Sequence, residues 1–320
     1  MGVILLALNP ATAREEWLAQ IRSLAPDRQL VITDDRERMQ ALADDVEVVV
    51  GGFPRELVLA APNLRWVQQW GAGADWLMRT PAAREKDYVL TNASGVHAIP
   101  ISEHILALIF AFARGIHHAV RAQTQHDWRG PKQHQSSEIA GSTMVLVGVG
   151  AIGERTAQMG AALGMRVLGV RRDPALPAEG VAAMYAPAGL PELLPQADYL
   201  VLTVPLTEET KGMIGEAELR AMKPTAVIIN IGRGGTIDEA ALIRALREGW
   251  VGGAGLDVFA TEPLPADSPL WDMENVIVTP HHAGSTPHYD ARAMAIFLDN
   301  LRRYVAGEPL RNVVDKRLGY

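Results

Sequence analysis

Residues 143–170 read TMVLVGVGAIGERTAQMGAALGMRVLGV, and the reading of this stretch decides the fold. Val145, Leu146 and Val147 form an apolar run of strand length, Gly148, Gly150 and Gly153 follow it, and the run from Val167 to Val170 closes the segment. In between, Ile152, Thr156, Met159 and Leu163 keep helical spacing, so the segment predicts a strand, a tight turn, a helix and a second strand. In such a unit Gly148 lets the chain turn sharply, Gly150 lets a pyrophosphate approach the backbone, and Gly153 lets the helix pack close to the strand. The first amides of the helix, which opens at Ala151 and Ile152, then face the phosphates. A glycine triplet alone is a weak signal. Its place between two strand candidates favours a dinucleotide site over an ordinary glycine-bearing turn.

A chain of 320 residues can build two domains of ordinary size. A net charge of −7 with dispersed arginines disfavours nucleic acid, which needs a basic stripe. No segment combines apolar length and flanking charge in the manner of a membrane span, so no membrane partner is expected. The opening MGVILLALNP has no basic region and no small-residue cleavage site, and reads as a first strand rather than an export signal. The sequence contains no cysteine, which excludes disulfides, thiolate catalysis and cysteine-ligated metal and fits a reducing cytoplasm. The histidines show no zinc spacing, and no metal is expected.

Ahead of the glycine turn, Val3 to Leu8, Gln29 to Ile32, Val46 to Val50, Arg65 to Gln69 and Tyr88 to Leu90 are strand candidates. Helical patterns at Ala13 to Leu24, Arg36 to Ala43 and Arg55 to Ala60 separate the earlier ones, which predicts an α/β unit with a parallel sheet. Its loops WGAGAD (70–75) and NASGV (92–96) follow strands, where such sheets bind ligands and where glycines can expose amides to an anion; a purely conformational role is the alternative. The apolar segment from Ser102 to about Ala122 predicts one long helix, buried between elements or against a second subunit. The polar stretch Gln123 to Ser137, with Trp128, Gly130 and Pro131, reads as an arm whose tryptophan can anchor an interface.

Beyond the glycine unit, strands are predicted at Tyr199 to Thr203, Ala226 to Ile229, Gly255 to Val258 and Val276 to Val278. Helices at Glu216 to Met222 and Glu239 to Glu248 alternate with them, and Tyr289 to Tyr304 forms a last helix that can return to the N-terminal domain. The fold class is therefore α/β, with two Rossmann-like or flavodoxin-like parallel-sheet domains and an interdomain active-site cleft. The first domain spans 1–100, completed by 287–320, and the dinucleotide-binding domain spans 101–286.

Arg233, in NIGRGG, sits beyond a strand where a guanidinium can clasp a planar carboxylate; a surface arginine solvating a turn is the alternative. His281 follows a strand and Pro280, where an imidazole can exchange a proton with an alcohol or carbonyl near neutral pH. His282 is its immediate rival. Glu262 and Asp257 are candidate carboxylate partners, or else a loop carboxylate and a strand-end turn cap. At the end of the second nucleotide strand an acid binds the adenosine ribose, whereas an arginine pairs with a 2′-phosphate. Here Arg171 and Arg172 follow Val170 and Asp173 comes two positions late, so NADP(H) is favoured and NAD(H) remains the alternative.

Five ordered motifs, GVGAIG (148–153), VPLTEETKGMIG (204–215), NIGRGG (230–235), GLDVFATEPLP (255–265) and TPHHAG (279–284), together resemble the D-isomer-specific 2-hydroxyacid dehydrogenases, nearest to their glyoxylate/hydroxypyruvate reductase-like portion. The resemblance covers nearly the whole chain. It implies that Arg233 orients the substrate carboxylate, that His281 is the acid/base and that Glu262 is its partner. It implies that Asp257 lies near the nicotinamide carboxamide, with Pro205, Thr207 and Gly232 on the cofactor side. Substrate-carboxylate amides are implied around Ala72 and Gly73, with a further wall at Ser94, Gly95 and Val96. The helix from Ser102 and the arm with Trp128 are implied to make a homodimer through the coenzyme domain. His282 departs from the family, where an apolar residue often follows the histidine, and Arg171 departs from its NAD-preferring members.

The expected reaction is reversible reduction of a small 2-keto acid, such as glyoxylate or hydroxypyruvate, to the D-2-hydroxy acid. A phosphite- or formate-type dehydrogenase on the same fold is one alternative. A non-catalytic dinucleotide-sensing protein is the other, disfavoured by intact Arg233, Glu262 and His281.

Overall fold

A computed structural model describes residues 2–74, 76–128 and 136–319, with Met78 described by its backbone alone. Asp75, Gly130 and Pro131, named above, lie outside the described residues. The chain divides into two units, Met1–Val96 with Thr286–Tyr320, and His97–Ser285.

In the first unit, short β-branched and aliphatic runs form β1 (Val3–Ala7), β2 (Gln29–Ile32), β3 (Val46–Gly51), β4 (Trp66–Gln69) and β5 (Val89–Thr91). Helices α1 (Glu15–Leu24), α2 (Arg36–Ala41), α3 (Arg55–Ala60), α4 (Trp76–Arg79) and α5 (Ala82–Glu85) connect them. All five strands are parallel, in the order β2-β1-β3-β4-β5. That is the flavodoxin-like winding, with its reversal between β1 and β3. Both faces of a parallel sheet are covered by helices, which is why β1 is buried at all five positions and shows no polar alternation.

The second unit begins with α6 (Ala98–Ala113) and α7 (Ile116–Thr124). It continues through β6 (Thr143–Val147), α8 (Ala151–Ala162), β7 (Arg166–Val170), β8 (Ala183–Tyr185), α9 (Leu190–Leu193), β9 (Tyr199–Leu202) and α10 (Glu216–Ala221). It closes with β10 (Val227–Asn230), α11 (Glu239–Glu248), β11 (Gly253–Leu256) and β12 (Val276–Val278). The seven parallel strands run β12-β11-β10-β9-β6-β7-β8. The winding reverses between β6 and β9, so the loops after those two strands diverge and open a crevice at their carboxyl ends. The chain then returns to the first unit as α12 (Tyr289–Ala306), which buries Met294, Phe297 and Leu301 with Ile4, Leu6 and Trp66. Each such aliphatic or aromatic side chain contributes about 1.5–3 kcal/mol on burial.

Three details differ from the sequence expectations. The single helix expected from Ser102 to about Ala122 is two, bent by 73°. Gly115, at φ 63°, sits in the left-handed region at the break, where glycine has no Cβ to oppose the turn. The first of the two starts at Ala98, because Pro100 falls in a first turn whose amides need no helical partner. No single helix among the described residues is long and apolar enough to cross a membrane. The strand expected at Gly255 to Val258 is β11, two residues earlier, which leaves Asp257 just past its end. A Cβ at Gly253 would stand 2.8 Å from the Phe112 ring, so α6 lies directly on this strand. The edge strand β8 was not expected, since three half-buried residues carry no periodic signal.

Candidate active site

In the second unit every sequence-predicted residue lies on the carboxyl edge of the sheet, where the crevice opens. Gly148 has φ 102°, and a Cβ there would come within 2.8 Å of Thr203 and Val204 side-chain atoms. A Cβ at Gly153 would stand 2.2 Å from the Gly148 carbonyl oxygen, so only glycine lets α8 start this close to the turn. Gly150 is the opposite case: a Cβ there meets nothing within 4 Å. The turn is thus packed tight on its protein side and open at the N-terminus of α8, beside the amides of Ala151 and Ile152, which is the cradle a pyrophosphate fits. In the loop after β9, Thr210 Oγ1 donates to the Pro205 carbonyl at 2.7 Å and accepts from the Thr207 amide at 2.8 Å, which ties both residues into one turn.

Arg171 follows β7 directly, and its amide donates to the Tyr185 carbonyl of β8 at 3.0 Å. The unexpected edge strand therefore sets where this arginine emerges. Arg172 and Asp173 are exposed, and Asp173 caps a turn by accepting from the Ala175 amide at 3.1 Å. The acid thus stands two residues beyond Arg171, where one of its oxygens caps its own turn.

Asn230, 1% exposed at the end of β10, organises the Arg233 loop. Its Nδ2 donates to the Arg233 carbonyl at 3.0 Å and its Oδ1 accepts from the Gly232 amide at 3.0 Å. The half-buried Arg233 side chain donates through Nη1 to the Gly232 carbonyl at 2.7 Å. A Cβ at Gly234 would collide with the Phe259 carbonyl carbon at 1.9 Å, so this loop is pressed against the segment that carries Glu262.

Glu262 Oε1 accepts from the Phe259 amide at 3.0 Å, and its Oε2 lies 2.7 Å from His281 Nδ1. A carboxylate only accepts, so Nδ1 carries the proton and Nε2 is the nitrogen left to exchange one with a substrate. His281 has φ 49°, an uncommon conformation for a residue with a side chain and one that concentrates at functional sites.

Asp257 is buried and caps the same turn from within: Oδ1 accepts from Thr279 Oγ1 at 2.6 Å and from the His282 amide at 3.0 Å, and Oδ2 from the Ala283 amide at 3.0 Å. The loops after β10, β11 and β12 are thereby joined into one group carrying Arg233, Glu262, Asp257 and His281. Two further histidines, unmarked in the sequence reading, belong to it. His104 of α6 reaches Thr279 Oγ1 with Nε2 at 3.1 Å. His97 packs where a Cβ on Gly284 would touch its ring at 2.8 Å. Burial, and then the Arg233 guanidinium, push the His97 imidazole below its ordinary value. Burial likewise lowers that of His104, against the opposing pull of Asp257.

The loops of the first unit are held through their carbonyls. Gln69 Nε2 donates to the Gly73 carbonyl, Asn92 Nδ2 donates to that of Ala72 at 2.8 Å, and the Trp76 indole anchors Gln69 Oε1 at 2.8 Å. Ser94 and Gly95 are exposed, whereas the Val96 side chain is buried with Ala93 and Ala293. Asn230, Gln69 and Asn92 escaped the sequence reading; a buried amide side chain at a strand end, just before a glycine loop, is the signal that finds them.

The model of the D-isomer specific 2-hydroxyacid dehydrogenase NAD binding domain matches residues 106–283. The chain is 37% identical over 300 residues to a glyoxylate reductase of Korarchaeum cryptofilum, covering 92% of this chain and 88% of that one. It is 37% identical over 279 residues to an (S)-sulfolactate dehydrogenase of Chromohalobacter salexigens, covering 85% and 89%. Among solved structures, an NADPH-dependent glyoxylate/hydroxypyruvate reductase of Sinorhizobium meliloti, in complex with NADP and sulfate, superposes with a TM-score of 0.83 at 31% identity, covering 100% of both chains.

Proposed function

Since the chain belongs to the D-isomer specific 2-hydroxyacid dehydrogenases, a family of NAD(P)-dependent oxidoreductases, we propose that it reduces a small 2-keto acid such as glyoxylate or hydroxypyruvate to the D-2-hydroxy acid, with NADPH as the favoured cofactor. The observation that carries this reading is the 2.7 Å bond between His281 and Glu262, on a turn tied to the Arg233 loop. When bound, the nicotinamide supplies the hydride. Arg233 clasps the substrate carboxylate with paired charge-assisted bonds and so aligns the neighbouring carbonyl. Protonated His281 donates from Nε2 to the carbonyl oxygen, and Glu262 stabilises the imidazolium through Nδ1. In the oxidative direction neutral His281 takes the hydroxyl proton. The amides around Ala72 and Gly73 are assigned to the same substrate carboxylate, and the loop at Ser94 to Val96 to a further wall of the substrate site.

The cofactor preference rests on Arg171, directly after β7 where a 2′-phosphate would be met, and on the absence of an acid at that position, Asp173 coming two residues later. The Sinorhizobium protein's NADPH dependence supports the same preference. A homodimer through the coenzyme domain is supported by apolar side chains left exposed on α6, α7 and the segment after them: Phe110, Ile116, Val120 and the fully exposed Trp128. Assay of glyoxylate, hydroxypyruvate, pyruvate and bulkier 2-keto acids with NADPH and NADH tests the reading. Turnover of the small acids with higher kcat/KM for NADPH is expected. Nucleotide binding without turnover of any 2-keto acid would favour the sensing alternative, and turnover of phosphite or formate alone would favour the other dehydrogenases.

A further inference from the structure

His282 is not used by the reaction, yet it faces the most deeply buried carboxylate of the site. Its Nδ1 lies 3.6 Å from Asp257 Oδ1, with the imidazole 50% and the carboxylate 2% exposed. On the other side, Thr279 has one hydroxyl proton and gives it to Asp257 at 2.6 Å, so the 3.1 Å contact from His104 Nε2 must be donated by the imidazole. That fixes the neutral His104 with its proton on Nε2, and burial disfavours the charged form of this ring. Among the described residues, the charged and titratable groups in contact with His282 are Asp257 from the end of β11 and His104 from α6, in edge-on ring contact at 5.3 Å, and its chain neighbour His281 is bonded to Glu262. Of the two imidazoles on Asp257, His282 is the one open to solvent.

The electrostatic consequence concerns the cofactor. The proposal rests on the nicotinamide-dependent reading above. In a doubly wound sheet the dinucleotide lies across the carboxyl edge. A dinucleotide with its pyrophosphate at Gly150 and its adenosine end at Arg171 would reach with its nicotinamide end toward β10, β11 and β12, whose loops carry Arg233, Asp257 and His281. The oxidised ring carries a positive charge and the reduced ring does not. A buried carboxylate favours the oxidised form, and a cation beside that carboxylate removes the advantage. We propose that His282 sets the preference of this site between oxidised and reduced nicotinamide cofactor, by offsetting with its own charge that of the Asp257 carboxylate. By linkage, binding the oxidised cofactor expels the His282 proton, and a protonated His282 poises the enzyme for the reduced cofactor and hence for reduction.

Equilibrium binding of NADP+ and NADPH, and of NAD+ and NADH, is measured calorimetrically from about pH 5.5 to about pH 8.5. The wild type, H281N, H282N and H282Q are compared, with thermal melts confirming that each is folded. The ratio Kd(NADP+)/Kd(NADPH) cancels titration of the 2′-phosphate, which both forms share. In the wild type this ratio should fall roughly three- to tenfold as the pH rises. H281N should keep most of that slope and both His282 variants should lose it. A wild-type slope retained in both H282N and H282Q, or a wild-type ratio flat with pH while nucleotides bind, overturns the proposal. Failure of the wild type to bind any of the four nucleotides overturns the dehydrogenase reading and the proposal together.

Discussion

His281 Nδ1 and Glu262 Oε2 are 2.7 Å apart, and the second oxygen of the same carboxylate is held by the Phe259 amide at 3.0 Å. The carboxylate is thus fixed before it orients the imidazole, and its loop is fixed in turn by the contact at Gly234. Glu262→Gln keeps the shape of this arrangement and removes its charge. The expected result is a kcat about tenfold lower or more, with NADPH affinity retained in calorimetry. Unchanged kcat would show that the carboxylate does not support the proton transfer.

Gly150 separates folding from cofactor binding. Its φ of −99° suits any residue, and a Cβ meets nothing within 4 Å. Gly150→Ala should therefore melt like the wild type and bind NADPH at least about tenfold more weakly, because the methyl group intrudes where the pyrophosphate lies. Gly153→Ala, with its 2.2 Å clash against the Gly148 carbonyl, should lose stability as well. Equal NADPH binding by wild type and Gly150→Ala removes the phosphate cradle from this turn.

For Arg171 the readout is selectivity. Arg171→Ala should weaken NADPH binding by about tenfold or more and leave NADH unaffected, since a lost guanidinium–phosphate bond costs about 1.5–3 kcal/mol. Equal losses for both nucleotides would mean that the arginine merely supports its turn.

Asn230 and Arg233 test the loop and its function separately. Arg233→Ala should raise KM for the keto acid and lower kcat while NADPH still binds. Asn230→Ala strips partners from the Arg233 carbonyl and the Gly232 amide, at a stability cost of about 1–3 kcal/mol, and should also raise the keto-acid KM. A normal melting temperature in this variant would mean that its hydrogen bonds are dispensable.

Acid should destabilise the fold through His97, His104 and His117, all held below the ordinary 6.5, chiefly by burial. Above pH 6.5 these rings are neutral in both folded and unfolded chains. As the pH falls below 6.5 the unfolded chain takes up protons first, so stability is lost until the folded values are passed. Melting temperatures between about pH 7.5 and about pH 5 should drop in the wild type and drop less in His104→Asn or His117→Asn. An unaltered slope in both variants would assign the acid sensitivity elsewhere.

The parallel α/β character of both sheets was legible because buried parallel strands are uninterrupted apolar runs and Gly148, Gly150 and Gly153 punctuate the strand-to-helix turn; the strand order was not. The break at Gly115 was hidden by apolar residues on both sides, which sustain a helical pattern across a glycine that ends it. β11 was shifted because Gly253 and Gly255 lack strand propensity, and packing under α6 supplies what propensity does not. At the site, Arg233, Glu262 and His281 stood out by charge and position. Asn230, His97 and His104 did not, because a buried amide or imidazole acquires meaning only from partners distant in sequence. Asp257 was read as a carboxylate partner of an imidazole, as a turn cap and, by resemblance, as a cofactor contact; it caps the turn that presents His281 and lies 3.6 Å from the His282 ring.

The central claim is that His281 passes the proton in a reduction aligned by Arg233. The most direct measurement is NADPH oxidation by wild type and His281→Asn with glyoxylate and hydroxypyruvate, after calorimetry has shown that both proteins bind NADPH. The account predicts turnover by the wild type and a loss of about 10²–10⁴ in kcat for the variant at unchanged NADPH affinity. Near-normal kcat/KM in the variant, or a wild type that binds NADPH and reduces neither acid, would contradict it.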